Sequence, residues 1–249
     1  MNASPRYDAR GEAGMELGTI LGIWAHPDDE TYLSAGLMAE AVDRGSRVVC
    51  ITATRGEGGS MDEERWPPDT MGSVRERELL RSLARIGVNE HHWLDYPDID
   101  MDTPLPDAGA ARVREIMAEV QPDTVLTFGP DGMTGHLAHM SVCTWATQAF
   151  EDVAPSGSCL HYATMTPAYV EEFQAIFEPL EMFRPGTPPV TPPEELSIDL
   201  ALDEDALDRK FAAIQEHESQ IGYIVDAIGA DVFRREMANE WFRLASTKP

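Results

Sequence analysis

Short apolar runs alternate with segments of helical periodicity through the first two thirds of the chain. The runs resemble the buried strands of a parallel sheet, and the segments between them repeat apolar residues at helical spacing. Strands are predicted at residues 19–24, 47–52, 92–96, 123–128 and, with a weaker pattern, 159–165. Helices are predicted at residues 30–44, 73–87 and 110–120. This alternation is typical of a doubly wound, mostly parallel α/β sheet with helices on both faces.

A dense group of prolines interrupts this pattern at about residues 177–195. Six prolines in this stretch remove amide donors and break regular structure, so we expect an extended loop or lid. Beyond it, the pattern predicts a strand at 196–200, one helix over 204–221 and a terminal helix and strand. We therefore expect an N-terminal extension over residues 1–18 and a single domain over residues 19–249, with extra C-terminal helices and strands added to the core sheet.

The charge of the chain restricts its partners. There are 19 Lys and Arg residues against 44 Asp and Glu residues, so the formal net charge is −25. Such an acidic surface repels phosphate backbones and anionic headgroups, so we expect neither nucleic-acid nor membrane partners. Three widely spaced cysteines form no disulfide framework, and the first eighteen residues lack the apolar segment of a signal peptide. The sequence thus predicts a cytoplasmic protein, with a homo-oligomer left open.

The first candidate for chemistry is the run Ala25-His-Pro-Asp-Asp-Glu30, which follows the first strand directly. Carboxylates this close together need a cation between them. An imidazole such as His26 and one carboxylate are natural ligands for zinc or iron. The alternative is a helix N-terminus in which Asp28, Asp29 and Glu30 are first-turn acids.

A second candidate, residues 129–139, follows the fourth strand and carries His136 and His139. Two histidines three positions apart lie on one face of a helix, although such pairs are more often surface residues than ligands. In a sheet of order 3-2-1-4-5, strands one and four are neighbours and the order reverses between them. Ligands bind at such a reversal, beyond the carboxyl ends of the strands. We therefore expect the two clusters to meet at one crevice.

The run Ala25 to Glu30 resembles the A-H-P-D-D-E signature of the LmbE-like (PIG-L) metal-dependent deacetylases. The resemblance extends from about residue 18 to residue 221, through Thr54-Arg-Gly-Glu57, Arg75-x-x-Glu78-Leu79, Tyr96-Pro97-Asp98 and Lys210…His217-x-Ser219-Gln220. It implies a zinc-dependent hydrolase that removes N-acetyl groups from small N-acetylglucosamine-type conjugates.

The resemblance also implies roles for individual residues. His26, Asp29 and His139 would bind Zn²⁺, with Fe²⁺ or another divalent metal as an alternative. Asp28 would be the general base, and His136 would stabilise the oxyanion or protonate the leaving amine. Three further residues are candidates for substrate binding, with a structural turn or an ion pair as the alternative: Arg55, Arg75 and Asp98.

One departure from the family pattern lies in the second histidine motif. The chain reads His136-Leu-Ala-His139 where the family commonly has H-P-D-H, so an acid that could orient a ligating imidazole is missing. Asp131 is a candidate replacement. Two competing hypotheses remain: a non-haem Fe(II) oxygenase, which also uses two histidines and one carboxylate, and a non-catalytic metal-dependent sugar-binding protein.

Overall fold

A seven-stranded sheet forms the core of the computed structural model, which describes residues 16–180, 182–184 and 189–249. The strands are β1 Ile20–Trp24, β2 Val48–Thr54, β3 Glu90–Tyr96, β4 Thr124–Thr127, β5 Cys159–Ala163, β6 Leu196–Ala201 and β7 Asn239–Thr247. Their order is β3-β2-β1-β4-β5-β7-β6. The first five strands are parallel, and β7 runs antiparallel to both β5 and β6. The predicted α/β fold, with its order 3-2-1-4-5 and C-terminal additions, is confirmed.

Helices cover this sheet. They are α1 Asp29–Asp43, α2 Pro68–Ile86, α3 Gly109–Val120, α4 Leu137–Val153, α5 Pro167–Phe177, α6 Glu204–Ile214, α7 Glu218–Ile228 and α8 Ala230–Glu236. All residues of β1 and β2 are buried, as expected for parallel strands with both faces covered. Among the described residues, no helix is both long and apolar enough to cross a lipid bilayer.

Two predicted helices have different bounds in the structure. Helix α2 begins at Pro68 rather than at Ser73, because proline is well suited to the first position of a helix. The helix predicted over 204–221 is two helices, α6 and α7, separated at residues 215–217. The separation turns the His217 side chain inward, where it is fully buried.

The second half of the chain holds regular structure that the proline density had argued against. Helix α5, which was not predicted, starts after Thr166, whose hydroxyl accepts a hydrogen bond from the Tyr169 amide. Single 3-10 turns form at Glu178–Leu180 and Pro193–Glu195, inside the predicted loop. Residues 181 and 185–188 of that loop, and residues 1–15 of the predicted extension, lie outside the described residues.

A buried ion pair ties the C-terminal part of the chain to α1. Lys210 Nζ of α6 lies 2.9 Å from Glu240 Oε1 of β7, and both side chains have no solvent exposure. Lys210 donates to the Tyr32 carbonyl, and the Gly36 and Leu37 amides donate to Glu240. The pair therefore satisfies its own charges and backbone groups of α1 at the same time, which fixes the position of that helix.

His161 of β5 is a buried histidine remote from the two motifs. Its Nδ1 lies 2.9 Å from the Ser197 hydroxyl, and the residue has no solvent exposure. Burial lowers the pKa of His161 from 6.5 to about 4. In the unfolded chain the ring takes up a proton near pH 6.5, so protons favour the unfolded state between these two values.

We expect the free energy of unfolding of the metal-free protein to contain a His161 contribution that decreases as the pH falls from 6.5 to about 4. Relative to a His161→Phe variant, the wild type should lose about 2 kcal/mol of stability between pH 7.5 and pH 5. Urea unfolding of both proteins at each pH measures this difference. A stability difference that is independent of pH would contradict the lowered pKa.

Candidate active site

The turn between β1 and α1 carries the first motif in a strained conformation. Asp28 has a φ of 131°, a region that residues with side chains rarely adopt. Arg75 of α2 holds the turn: its guanidinium donates to the Pro27 carbonyl at 2.7 Å, to the Gly56 carbonyl at 3.3 Å and to Asp28 Oδ2 at 3.0 Å. The Arg75 side chain is only 4% exposed, so a buried guanidinium stabilises the strained turn.

Three side chains from the two motifs converge at the ends of β1 and β4. His26 Nδ1 lies 3.0 Å from His139 Nε2, and Asp29 Oδ1 lies 3.5 Å from the same Nε2. Asp29 Oδ2 lies 3.6 Å from His26 Nδ1. Ligand atoms around a tetrahedral zinc ion are separated by about 3.3–3.6 Å, given zinc–ligand bonds of about 2.0–2.2 Å. The residues therefore fit a divalent cation of this size.

His136 adds a third imidazole to this group. Ring nitrogens of His26, His136 and His139 all lie within 4.8 Å of one another, which makes the three histidines a second candidate ligand set. The ring of His136 stacks on that of His139, with 4.9 Å between the centroids. Its buried Nδ1 has no hydrogen-bond partner among the described residues.

Neighbouring groups orient the imidazoles of His26 and His139, the two candidate ligands. His139 Nδ1 lies 2.9 Å from the Gly132 carbonyl and donates its proton to it, which leaves Nε2 free to accept a metal. The close approach requires glycine, since a Cβ at Gly132 would lie 2.9 Å from the His136 carbonyl oxygen. A backbone carbonyl thus does what the missing acid of the second motif would do, while Asp131 accepts from the Met133 amide instead.

A carboxylate lies behind the other imidazole. Asp98 Oδ1 is 3.5 Å from His26 Nε2, on the side of the ring away from His139, and the Gly58 amide donates to Asp98 Oδ2. Burial opposes ionisation of Asp98, but His26, Arg75 and the Gly58 amide together outweigh it and lower the pKa of the carboxyl group. The Asp98 carboxylate thus contacts the ring nitrogen of His26 that faces away from the candidate metal position, as carboxylates that orient metal-binding histidines commonly do.

The electrostatics of the site favour a positive charge between its carboxylates. Burial raises the pKa of Asp28, and the Arg75 guanidinium only partly opposes this. Burial opposes ionisation of Asp29 too, but His139 and His26 hold the pKa of its carboxyl group well below the usual range. Burial lowers the pKa of His139 to about 3, whereas hydrogen bonds to Asp29 and Asp98 overcome burial and raise the pKa of His26 to about 9. Burial also lowers the pKa of His136.

A cavity of about 630 Å³ opens over these residues. Every site residue predicted from the sequence lines it except Arg55: these are His26, Asp28, Asp29, Arg75, Asp98, His136 and His139. Arg55 lies over the ring of Trp93 and pairs with Glu76 and Asp95. The structure therefore brings both motifs together, as expected, and keeps Arg55 away from the cavity.

Several residues at the site had no signal of their own in the sequence. Tyr32 and Tyr223 line the cavity although they belong to distant segments. The Glu30 carboxylate accepts from the Asp28 amide and the Thr31 hydroxyl, and His217 Nε2 lies 3.2 Å from that hydroxyl. Only the resemblance through residues 210–220 pointed to this support.

Sequence comparison places the chain among known proteins. Residues 21–150, just over half of the chain, match the PIG-L family, described as GlcNAc-PI de-N-acetylase. A 1D-myo-inositol 2-acetamido-2-deoxy-alpha-D-glucopyranoside deacetylase of Mycobacterium sp. (strain JLS) is 30% identical over 229 residues, covering 81% of this chain and 74% of that protein. The protein of the same name from Kineococcus radiotolerans is 32% identical over 167 residues, covering 56% of this chain and only 46% of that protein.

Solved structures share the fold at low sequence identity. N,N'-diacetylchitobiose deacetylase from Pyrococcus horikoshii has a TM-score of 0.67 and 20% identity, covering 91% of this chain and 83% of that chain. GalB, the 4-carboxy-2-hydroxymuconate hydratase of Pseudomonas putida KT2440, has a TM-score of 0.61 and 16% identity, covering 93% of this chain and 98% of that chain. At these identities the likeness establishes the architecture, while the sequence matches and the motif establish the family. The chain belongs to the PIG-L family of GlcNAc-PI de-N-acetylases.

Proposed function

We propose that the protein is a zinc-dependent hydrolase that removes the N-acetyl, or another N-acyl, group from an N-acetylglucosamine-type conjugate. The observation that carries this proposal is the triangle of His26, Asp29 and His139, with the Asp28 carboxylate beside it on the wall of one cavity. Membership of the PIG-L family and the names of the relatives support the same reaction.

We assign the metal to His26, Asp29 and His139, with His136 adjacent. Two imidazoles and one carboxylate suit zinc and also Fe²⁺. When bound, zinc would supply a Lewis acid that polarises the amide carbonyl and lowers the pKa of water to about 7. Three protein ligands leave room for water and substrate, as in other catalytic zinc sites.

Two side chains beside the proposed ligands carry out the proton transfers: Asp28 accepts a proton from water, and His136 acts on the oxyanion or the leaving amine. Asp28 is the general base: Arg75 binds its Oδ2, and burial raises its pKa toward the neutral range in which a base is most effective. His136 lines the cavity beside the ligands and hydrogen-bonds to the developing oxyanion or passes a proton to the leaving amine. Arg75 and Asp98 act as positioning residues, on Asp28 and His26 respectively.

The charge of the cavity indicates a neutral substrate. Among the described residues that line it, Arg75 is the only Lys or Arg, and its charge is already paired with Asp28. Asp28, Asp29, Asp98 and Asp100 face the same space. The described lining thus offers no unpaired Lys or Arg to an anionic substrate, and Asp98 and Asp100 would repel an anionic group placed beside them, which favours a neutral amino sugar conjugate.

An Asp28→Asn variant should keep its zinc and lose turnover, because the amide cannot accept the proton of the attacking water. We expect the rate of amine release from N-acetylglucosamine conjugates to fall by about 10²- to 10⁴-fold. Amine and acetate release, with metal content measured in parallel, checks this, and Asp69→Asn at an exposed position of α2 is the matched control. Full activity of the variant would refute Asp28 as the base, and dioxygen consumption by the wild type would favour the oxygenase.

An Asp98→Asn variant should bind zinc more weakly, because the amide orients and polarises His26 less effectively than the carboxylate. We expect a loss of about 10- to 100-fold in zinc affinity, measured by competition with a chromophoric chelator. Asp100→Asn is the control, since Asp100 lines the cavity but bonds within its own loop. In the wild type, a chelator should abolish amine release and added zinc should restore it. Equal zinc affinities for Asp98→Asn and the wild type would contradict the positioning role.

A further inference from the structure

A second, smaller cavity of about 140 Å³ adjoins the larger one. Five residues line both cavities: Asp29, Tyr32, Thr134, His139 and Met182. Two of them, Asp29 and His139, are proposed metal ligands. Away from this shared wall, the smaller cavity is largely apolar: its lining includes Leu33, Phe128, Met133, Met165, Phe233 and Trp241.

We propose that this smaller cavity binds the acyl chain of the substrate and that the enzyme prefers N-acyl groups longer than acetyl. The inference rests on the proposed function and adds a substrate class to it. An amide carbonyl carries two substituents, an acyl chain on carbon and the sugar on nitrogen. With the carbonyl at the shared wall, the sugar occupies the larger cavity, where carboxylates such as Asp100 accept hydrogen bonds, and the acyl chain enters the smaller one.

Four polar side chains that line the smaller cavity are already bonded to protein groups, which disfavours a hydroxyl-rich sugar there. Glu240 is paired with Lys210 and accepts two amides of α1. The indole nitrogen of Trp241 donates to Asp199. Two hydroxyls are bonded in the same way: Tyr169 to the Glu236 carbonyl and Thr164 to Thr191.

The size of the smaller cavity exceeds what acetyl needs. An apolar cavity of about 150 Å³ in another protein accommodates benzene, which has six carbons. A cavity of 140 Å³ is therefore suited to a chain of about five carbons or to one aromatic ring, whereas acetyl places a single methyl group there. Hexanoyl and benzoyl amides of glucosamine are the substrates that this space fits best.

The direct test compares N-acetyl-, N-butanoyl- and N-hexanoylglucosamine as substrates of the zinc-loaded enzyme, by kcat/KM for release of free amine. Each buried methylene is worth about 0.8 kcal/mol, or roughly fourfold in kcat/KM. We expect hexanoyl to exceed acetyl by roughly tenfold or more, even with incomplete burial of its four additional methylenes. Equal or declining kcat/KM along the series would overturn the proposal.

A Leu33→Trp variant tests whether this cavity is the cause of the preference. Leu33 lies on the partly buried face of α1 and lines only the smaller cavity of the two, so the larger side chain reduces the space for the acyl chain. The variant should lower the ratio of hexanoyl to acetyl kcat/KM to about one, a ratio within one protein that a general loss of activity would leave unchanged. The matched control is Leu80→Trp, on the exposed side of α2, where Leu80 is 49% exposed. It should retain the wild-type preference, and a hexanoyl preference that persists in Leu33→Trp would overturn the assignment.

Calorimetric binding separates this inference from the proposed function. Tighter binding of N-hexanoylglucosamine than of N-acetylglucosamine by the wild type, but not by Leu33→Trp, supports the acyl cavity even if no amine is released. Absence of amine release from every substrate would refute the proposed function alone. Equal affinities would refute the acyl cavity. A hexyl glycoside of N-acetylglucosamine gives a further check. If it binds more tightly than N-acetylglucosamine to the wild type but not to Leu33→Trp, the cavity holds the aglycone, and the acyl assignment is refuted.

Discussion

The buried guanidinium of Arg75 is the interaction on which the rest of the site depends. It pairs with Asp28 and donates to two carbonyls, that of Pro27 between β1 and α1 and that of Gly56 after β2. Breaking a buried pair of this kind leaves an uncompensated charge and costs about 3–5 kcal/mol. Without it, the strained φ of Asp28, next to the proposed metal ligand Asp29, would lose its support. The ion pair that holds the turn thus also contains the proposed general base.

Residues of the C-terminal segments stabilise the helices that carry the first motif and Arg75. The pair Lys210–Glu240 fixes the middle of α1, and His217 meets its first turn through Thr31. The amide and hydroxyl of Ser219 both donate to Glu78 of α2, the helix that carries Arg75. These contacts explain why the family resemblance continues to residue 221, far beyond the metal-binding motifs. The C-terminal segments contribute support for the site, although most of their residues do not touch the cavity.

The sequence allowed the sheet to be predicted because its central strands are buried on both faces and so appear as unbroken apolar runs. The two motifs could be placed together because chemistry-bearing residues followed two strands that are neighbours in this topology. Helix α5 was not predicted, although Thr166 followed by Pro167 is a typical helix start and marks where the helix begins. Asp98 could not be assigned behind His26, since that contact depends on the path of the loop after β3 rather than on any local pattern.

Architecture alone does not decide the reaction, since a hydratase and a deacetylase share this fold. What distinguishes this chain is the division of space around the triangle of His26, Asp29 and His139. Among the described lining residues, one cavity is acidic, with its one guanidinium paired with Asp28, and the other is largely apolar, with most of its polar side chains bonded to protein groups. A reacting carbon with a polar substituent on one side and a hydrocarbon substituent on the other matches both surroundings at once. An N-acyl amino sugar has that form, because the amide bond joins its hydrocarbon part to its hydroxylated part.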